Sequence, residues 1–382
     1  MNAMPCFLAR EREVLERCLP GLAAALTGHG LAALETAGGP GLAEFRRHGG
    51  AGLMIPDQHT GLGASLLDAV RLQRALGALS PSLAIATTMH HFSVASLVAA
   101  DRMAGGFEWL LLEAISRDRL LLASGFSEGQ AGQGILAPDL AVEARGDSLL
   151  VSGSKKPCSL AYSMDLFTAS LVLPSKRDGS PCLAVALIPV KSPGLSVRPF
   201  WKSPYLVASE SDEVVLERVE VPAKLVVRTD TGANDAPDVL QTIGFIWFEL
   251  LMAGAYLGIA SALVERALAN SRLPATLRAG LTVELDAAMM AVELAAQTPF
   301  PDAEQRQEAL ARALVARYAA QDAIARVVPR ALEALGGMAY IASAEASYLA
   351  GCTAALQFHP PTRHRAAEPL CEYYAGGLLR IV

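Results

Sequence analysis

The sequence predicts an α+β protein in three regions: an amino-terminal helical domain over residues 1–119, a central antiparallel β-domain over 120–232 and a carboxy-terminal helical bundle over 233–382. Apolar residues recur every three to four positions towards both ends of the chain, which is the helical period. In the middle the period falls to two, and turn residues follow at short intervals. No helical stretch separates those central strands, which argues for an antiparallel sheet or small barrel over a parallel nucleotide-binding sheet.

Residues 11–26 and 31–48 each carry apolar side chains at helical spacing, with Gly28 to Gly30 between them. GGAGLMIPDQHTGLG, residues 49–63, breaks helix through its glycines and Pro56 and fits a surface loop. Helix resumes over 65–79, is punctuated at Ser80-Pro81, continues over 82–100 and returns over 106–117. Residues 121–163 hold two short extended segments with glycine, serine and proline loops; 141–145 alternates, Gly146-Asp147 offers a turn and 149–151 resumes, a hairpin signal. Strands are expected over 166–173, 182–188, 195–199 and 213–221, separated by SKRDGSP, PVKSPG and SESD. Beyond Asn234-Asp235 come a long apolar helix over 243–268 and a second marked by Leu277, Leu281, Leu285, Met289 and Val292. Asp302 with Gln305 opens a third, which Pro329 should bend and Gly336-Gly337 ends. Residues 343–355 and 368–379 form the last helical segments.

Of the 382 residues 52 % are hydrophobic and 18 % charged, which excludes a disordered chain and allows extensive burial. A formal charge of −6, with no basic run longer than Arg46-Arg47 or Lys155-Lys156, argues against a nucleic-acid partner. Six cysteines make no CxxC pair and no metal spacing with the seven histidines; no metal is expected, and a reduced, cytoplasmic setting is. The start, MNAMPCFLARERE, reaches charge too soon to read as a secretory signal. The most membrane-like window, 243–264, contains Glu249, and an acid at bilayer depth costs about 2.5–3.5 kcal/mol. It reads as a buried bundle helix, and no membrane partner is expected.

Five motifs occur in a telling order. MIPDQHTGLGAS (54–65) looks like "P-E-x-x-G-G-x-G" with one glycine lost, and ASGFSEGQAG (123–132) like "T-E-P-x-A-G-S". VSGSKKPCSLA (151–161) looks like "x-N-G-x-K-x-W-I-T-N-x", LERVEVP (216–222) like "F-x-x-V-x-V-P", and LGGMAY (335–340) like "L-G-G-x-G-Y". Together they resemble the acyl-CoA dehydrogenase superfamily over nearly the whole chain. The resemblance implies a homo-oligomer, dimer or tetramer, that binds FAD between the sheet and the carboxy-terminal bundle.

Carried over residue by residue, the resemblance places the Ser127 hydroxyl and the Phe126 backbone at the isoalloxazine edge, where donors stabilise anionic reduced flavin. It places Ser159 near flavin N5, Gln133 at the pyrophosphate, and Gly336 and Gly337 where backbone approaches the adenine half. Pro157 replaces a tryptophan that shields the ring. The "R-x-x-F-G" motif that reaches a neighbour's cofactor is not visible; Arg272 and Arg278 are the substitutes on offer. His90 and His91 fall on the floor of the acyl pocket and imply a polar or short acyl group.

The base that removes the proton α to a thioester is usually a glutamate, and pattern alignment puts His359 in its place. In other members the base sits on the first long helix, at a position that falls on Phe248, one short of Glu249. A carboxylate on so apolar a helix should have a raised pKa, so Glu249 and His359 are the catalytic candidates. The first reading is flavin-dependent α,β-dehydrogenation of an acyl thioester, carried on coenzyme A or an acyl carrier protein, with electrons passing to an electron-transfer flavoprotein or oxygen. The second is a flavin-dependent monooxygenase of the same fold, served by a flavin reductase; Cys158-Ser159 resembles the "F-C-S-G" of that branch. The third is a degenerate relative without flavin.

Overall fold

The computed structural model of the chain describes residues 7–104, 108–127, 138–175, 179–232 and 239–381. Gln133 therefore lies outside the described residues. Four helices open the chain: α1 (Ala9–Cys18), α2 (Leu22–His29), α3 (Leu31–Leu34) and α4 (Gly41–Arg47). Two were expected. Each splits where local chemistry forbids continuation, at Leu19-Pro20-Gly21 and at Gly38-Gly39-Pro40, and Gly21 takes φ +80°. Next come α5 (Leu66–Leu79), α6 (Pro81–Ala104) and α7 (Glu108–Arg117). Ser65 caps α5 by accepting from Asp68 N at 3.1 Å.

The central region holds β1 (Leu122–Gly125), β2 (Ala141–Arg145), β3 (Ser148–Cys158), β4 (Leu166–Pro174), β5 (Pro181–Pro189), β6 (Leu195–Arg198), β7 (Asp212–Pro222) and β8 (Val226–Gly232). They form two four-stranded sheets, ordered β1-β4-β5-β8 and β2-β3-β7-β6. The hairpin turn of β2 and β3 falls at Gly146, with φ +57°. One pairing departs from the antiparallel expectation: β1 runs parallel to β4. β1 arrives from the amino-terminal helices and is buried along its whole length, so it gives no alternating signal.

The carboxy-terminal bundle comprises α8 (Val239–Leu268), α9 (Ala275–Ala296), α10 (Ala303–Leu335), α11 (Gly337–Ala342), α12 (Ala344–Thr353) and α13 (Arg363–Tyr374). Asp302 accepts from Gln305 N at 2.8 Å and caps α10. That helix passes through Pro329 and ends at Gly336, φ +82°. The closing helix starts earlier than expected, at Arg363, and contains Pro369.

α8 is the axis of the core, buried without interruption from Phe248 to Val264. It crosses α5 at a contact of glycines. A Cβ built on Gly258 would lie 2.1 Å from the Arg74 carbonyl oxygen, and one on Gly77 would lie 2.1 Å from that of Ala255. Beside the crossing the buried Arg74 donates to Glu11 (2.9 Å), Asp286 (2.9 Å) and Ser261 (3.3 Å). Pro81–Met103 and Val239–Leu268 are long and apolar enough to cross a bilayer, but 83 % of each window is buried inside this bundle.

Candidate active site

A cavity of about 320 Å³ opens where the two sheets meet α6, α8 and the loop before α13. β1 delivers Ser124 and, just past its end, Phe126 and Ser127. Lys156 N donates to the Ser127 carbonyl at 2.9 Å, tying that segment to β3, whose end brings in Pro157 and Ser159. α6 contributes Phe92, α8 contributes Phe248 and Tyr256, and the carboxy-terminal loop contributes His359. Neighbouring rings run from Phe126 through Phe92 (5.8 Å) and Phe248 (5.6 Å) to His359 (6.1 Å) and Tyr256 (5.5 Å).

The same cavity is lined by a hydroxyl chain. Ser209 donates to the Leu206 carbonyl at 2.7 Å, Ser209 and Ser211 are 2.7 Å apart, and Ser211 and Ser159 are 2.9 Å apart. Each hydroxyl owns one proton. With the Ser209 proton on Leu206, Ser211 must donate to Ser209 and Ser159 to Ser211. Ser159 then offers the cavity lone pairs only. Tyr256 OH lies 2.8 Å from His359 Nε2. Burial, aided by the Arg317 guanidinium, pushes the imidazole down to about 3, so it is neutral at physiological pH. Burial pushes the Tyr256 phenol up, so it keeps its proton.

No Asp, Glu, Lys or Arg lines the cavity among the described residues. Glu249 stands apart from it. One step along a helix is a rotation of about 100°, so Phe248 faces the cavity and Glu249 turns to α10, where it meets Arg317 at 3.1 Å with both side chains fully buried. Desolvation still outweighs that guanidinium and pushes the Glu249 carboxyl up to about 7. The catalytic placement of Glu249 is thus corrected: it is a buried ion-pair partner behind the cavity wall.

His90 and His91 are corrected as well, since neither lines the cavity. His90 accepts from Leu122 N at 3.1 Å through Nδ1, so Nε2 carries the proton it gives to the Ala51 carbonyl at 3.0 Å. His91 packs its ring 5.6 Å from Phe45, and neither of its nitrogens has a hydrogen-bond partner among the described residues. Burial pushes His90 to about 4 and His91 well below its ordinary value. Both are held below the unfolded value near ~6.5, so the stability they confer is present above that pH and lost as pH falls. His91→Phe should therefore raise stability more at pH 5 than at pH 8, by about 2 kcal/mol more; thermal unfolding at the two pH values checks this, and equal gains would refute it.

Gly336 and Gly337 sit at the α10–α11 junction, away from the cavity, with nothing within 4 Å of a Cβ on either. Arg272 and Arg278 do not line it either. Sequence reasoning missed Tyr256, Ser209, Ser211 and Arg317. Only Arg317 left a signal, a cation three residues after Leu314 on an otherwise apolar helix face.

The fold is that of the acyl-CoA dehydrogenase-like flavoproteins. KijD3, solved in complex with FMN and dTDP-3-amino-2,3,6-trideoxy-4-keto-3-methyl-D-glucose, superposes with a TM-score of 0.81 at 20 % identity, covering 96 % of this chain and 94 % of its own. The nitrososynthase of Micromonospora carbonacea var. africana gives 0.78 at 22 % over 97 % of both chains, and FMN-bound TdsC of Paenibacillus sp. A11-2 gives 0.76 at 19 % over 98 % of both. No protein-family model matches the chain. It is, however, 46 % identical over 376 residues to isobutylamine N-hydroxylase of Streptomyces viridifaciens, covering 97 % of this chain and 98 % of that protein. The chain belongs to the isobutylamine N-hydroxylase family.

Proposed function

We propose that the protein is a flavin-dependent monooxygenase that N-hydroxylates a small aliphatic primary amine. The observation that carries this reading is an apolar cavity whose described residues offer acceptors and neutral polar groups to a guest but no carboxylate. Kinship with an N-hydroxylase and the FMN of KijD3 and TdsC support it, and favour oxygenation over thioester desaturation and FMN over FAD.

The residues suit a flavin ring. Phe126, Pro157 and Trp201 supply apolar faces, and the hydroxyls of Ser127, Ser159 and Ser211 supply polar atoms for the ring edge. Bound there in its reduced form, the flavin would supply an electrophilic oxygen atom from O₂. Overall, amine, O₂, two electrons and two protons give hydroxylamine and water. A separate flavin reductase is the natural electron source.

The chain's own part is to present the amine. Its lone pair is the nucleophile, so the amine must be neutral. An apolar cavity without a counter-charge rejects an ammonium ion, whose unpaired burial is prohibitive. Ser159 is placed to accept from an N–H group, the Phe92–Phe248 arc takes the alkyl group, and the His359–Tyr256 pair is placed to orient the nitrogen for attack. Desaturation, by contrast, finds no suitable base among the described residues: Glu249 faces Arg317, and an imidazole held near 3 is too weak to take a carbon-bound proton.

Purified protein supplied with FMN, a flavin reductase, NADH and isobutylamine should form N-hydroxyisobutylamine, followed by mass spectrometry. Anaerobic acyl-CoA should leave the bound flavin oxidised. Bleaching by acyl-CoA without any hydroxylamine formed would reverse the assignment.

A further inference from the structure

One fully buried cation organises the loop that carries His359. Arg317 on α10 donates to the carbonyls of Leu356 (2.9 Å), His359 (2.6 Å) and Pro361 (2.7 Å). Its neighbour Tyr318 donates to the same Pro361 carbonyl at 2.9 Å. The loop can do little to hold itself, because Pro360 and Pro361 have no N–H to give. The Arg317 charge is met by Glu249 at 3.1 Å, and both side chains are 0 % exposed. Glu249 sits beside Phe248 and two turns before Tyr256, the two α8 residues whose rings pack on His359. Contacts thus run from α8 to α10, on to the loop, and back to α8 at the imidazole.

Burying such a pair yields little net stability, since desolvation offsets the attraction. Its distinctive consequence here is the loop conformation. We propose that Arg317, with Glu249 as its counter-charge, is a positioning residue that sets the His359 imidazole against Tyr256 in the cavity. This rests on the amine-hydroxylation reading for its kinetic assay, but not for its geometry. A misplacement of about 1 Å can cost on the order of 100-fold in rate, so the pair should act on turnover through His359 and leave amine binding nearly intact.

The test compares Arg317→Lys, Arg317→Met, His359→Gln and the double variant Arg317→Met/His359→Gln in the flavin-supplied enzyme with isobutylamine. Arg317→Met should lower kcat by about the same factor as His359→Gln, with KM within about threefold of wild type. The double variant should be no worse than His359→Gln within about twofold, because residues acting as a unit are not additive. Arg317→Lys keeps the buried charge and part of the carbonyl grip, and should recover part of the loss. Losses that multiply in the double variant overturn the proposal. Should Arg317→Met not fold, Arg317→Lys carries the test, through its kcat loss at unchanged KM and through the ring-nitrogen NMR signal of His359. That signal should shift as the Tyr256 contact loosens, and an unchanged signal overturns the proposal. Wild-type enzyme inert towards isobutylamine would defeat the amine reading alone, and the NMR comparison would still decide the positioning.

Discussion

kcat/KM for isobutylamine should climb about tenfold for each pH unit from 7 to 9. An alkylamine with a pKa near the ~10.4 of lysine is neutral in roughly one molecule in 2,500 at pH 7, and each unit multiplies that fraction by ten. Only the neutral form suits a cavity with no charged side chain among its described lining residues. His359 does not change state in this range, its imidazole being held near 3, and Glu249, pushed up to about 7, completes its ionisation within the first unit and adds at most about twofold there. Steady-state rates at saturating reduced flavin measure the slope. A fluorinated amine of much lower basicity, already neutral at pH 7, should show no such rise. A flat profile for isobutylamine would mean that the cavity binds the ammonium ion and recruits a carboxylate, which sinks the neutral-guest mechanism.

Gly258→Val should leave little or no folded protein. At Gly258 the clash partner is backbone, the Arg74 carbonyl 2.1 Å from the new Cβ, so no side chain can swing aside and α8 must part from α5. Overpacking alone costs about 1–3 kcal/mol. Parting the helices also loosens the hold on Arg74, and breaking its buried pair with Glu11 would cost about 3–5 kcal/mol. The sum takes up much of the ~5–15 kcal/mol that holds a native domain together. Soluble yield and thermal unfolding test this, with Gly28→Ala as the control, since its Cβ meets nothing within 4 Å and alanine favours helix there. A Gly258→Val variant that melts within a few degrees of wild type would show that the crossing yields easily.

The sequence carried most of the architecture, because helical and strand periods are written by which side of an element is dry. β2 to β7 alternate or lie between clear turns, whereas β1, dry on both faces, could not announce itself. The candidate site was legible where motifs mark loops: Phe126, Ser127, Ser159 and His359 do meet in one cavity. It was illegible where a single residue of helical register decides the outcome. Phe248 and Glu249 are neighbours in the chain, and composition cannot say which faces the guest. The same limit hid Tyr256 and misplaced His90 and His91, which the rotation of α6 directs towards Ala51, Leu122 and Phe45.

The crossing of α5 and α8 also bears on how the molecule is made. Gly77 and the Arg74 backbone meet Ala255 and Gly258 of α8, and the whole sheet region is translated between the two. At ordinary elongation rates that gap lasts roughly ten to thirty seconds, during which the nascent amino-terminal helices hold an unmatched groove and an arginine awaiting burial. The newborn chain therefore cannot settle its first third before its last third leaves the ribosome, and a fragment cut after the sheets would keep that groove open indefinitely.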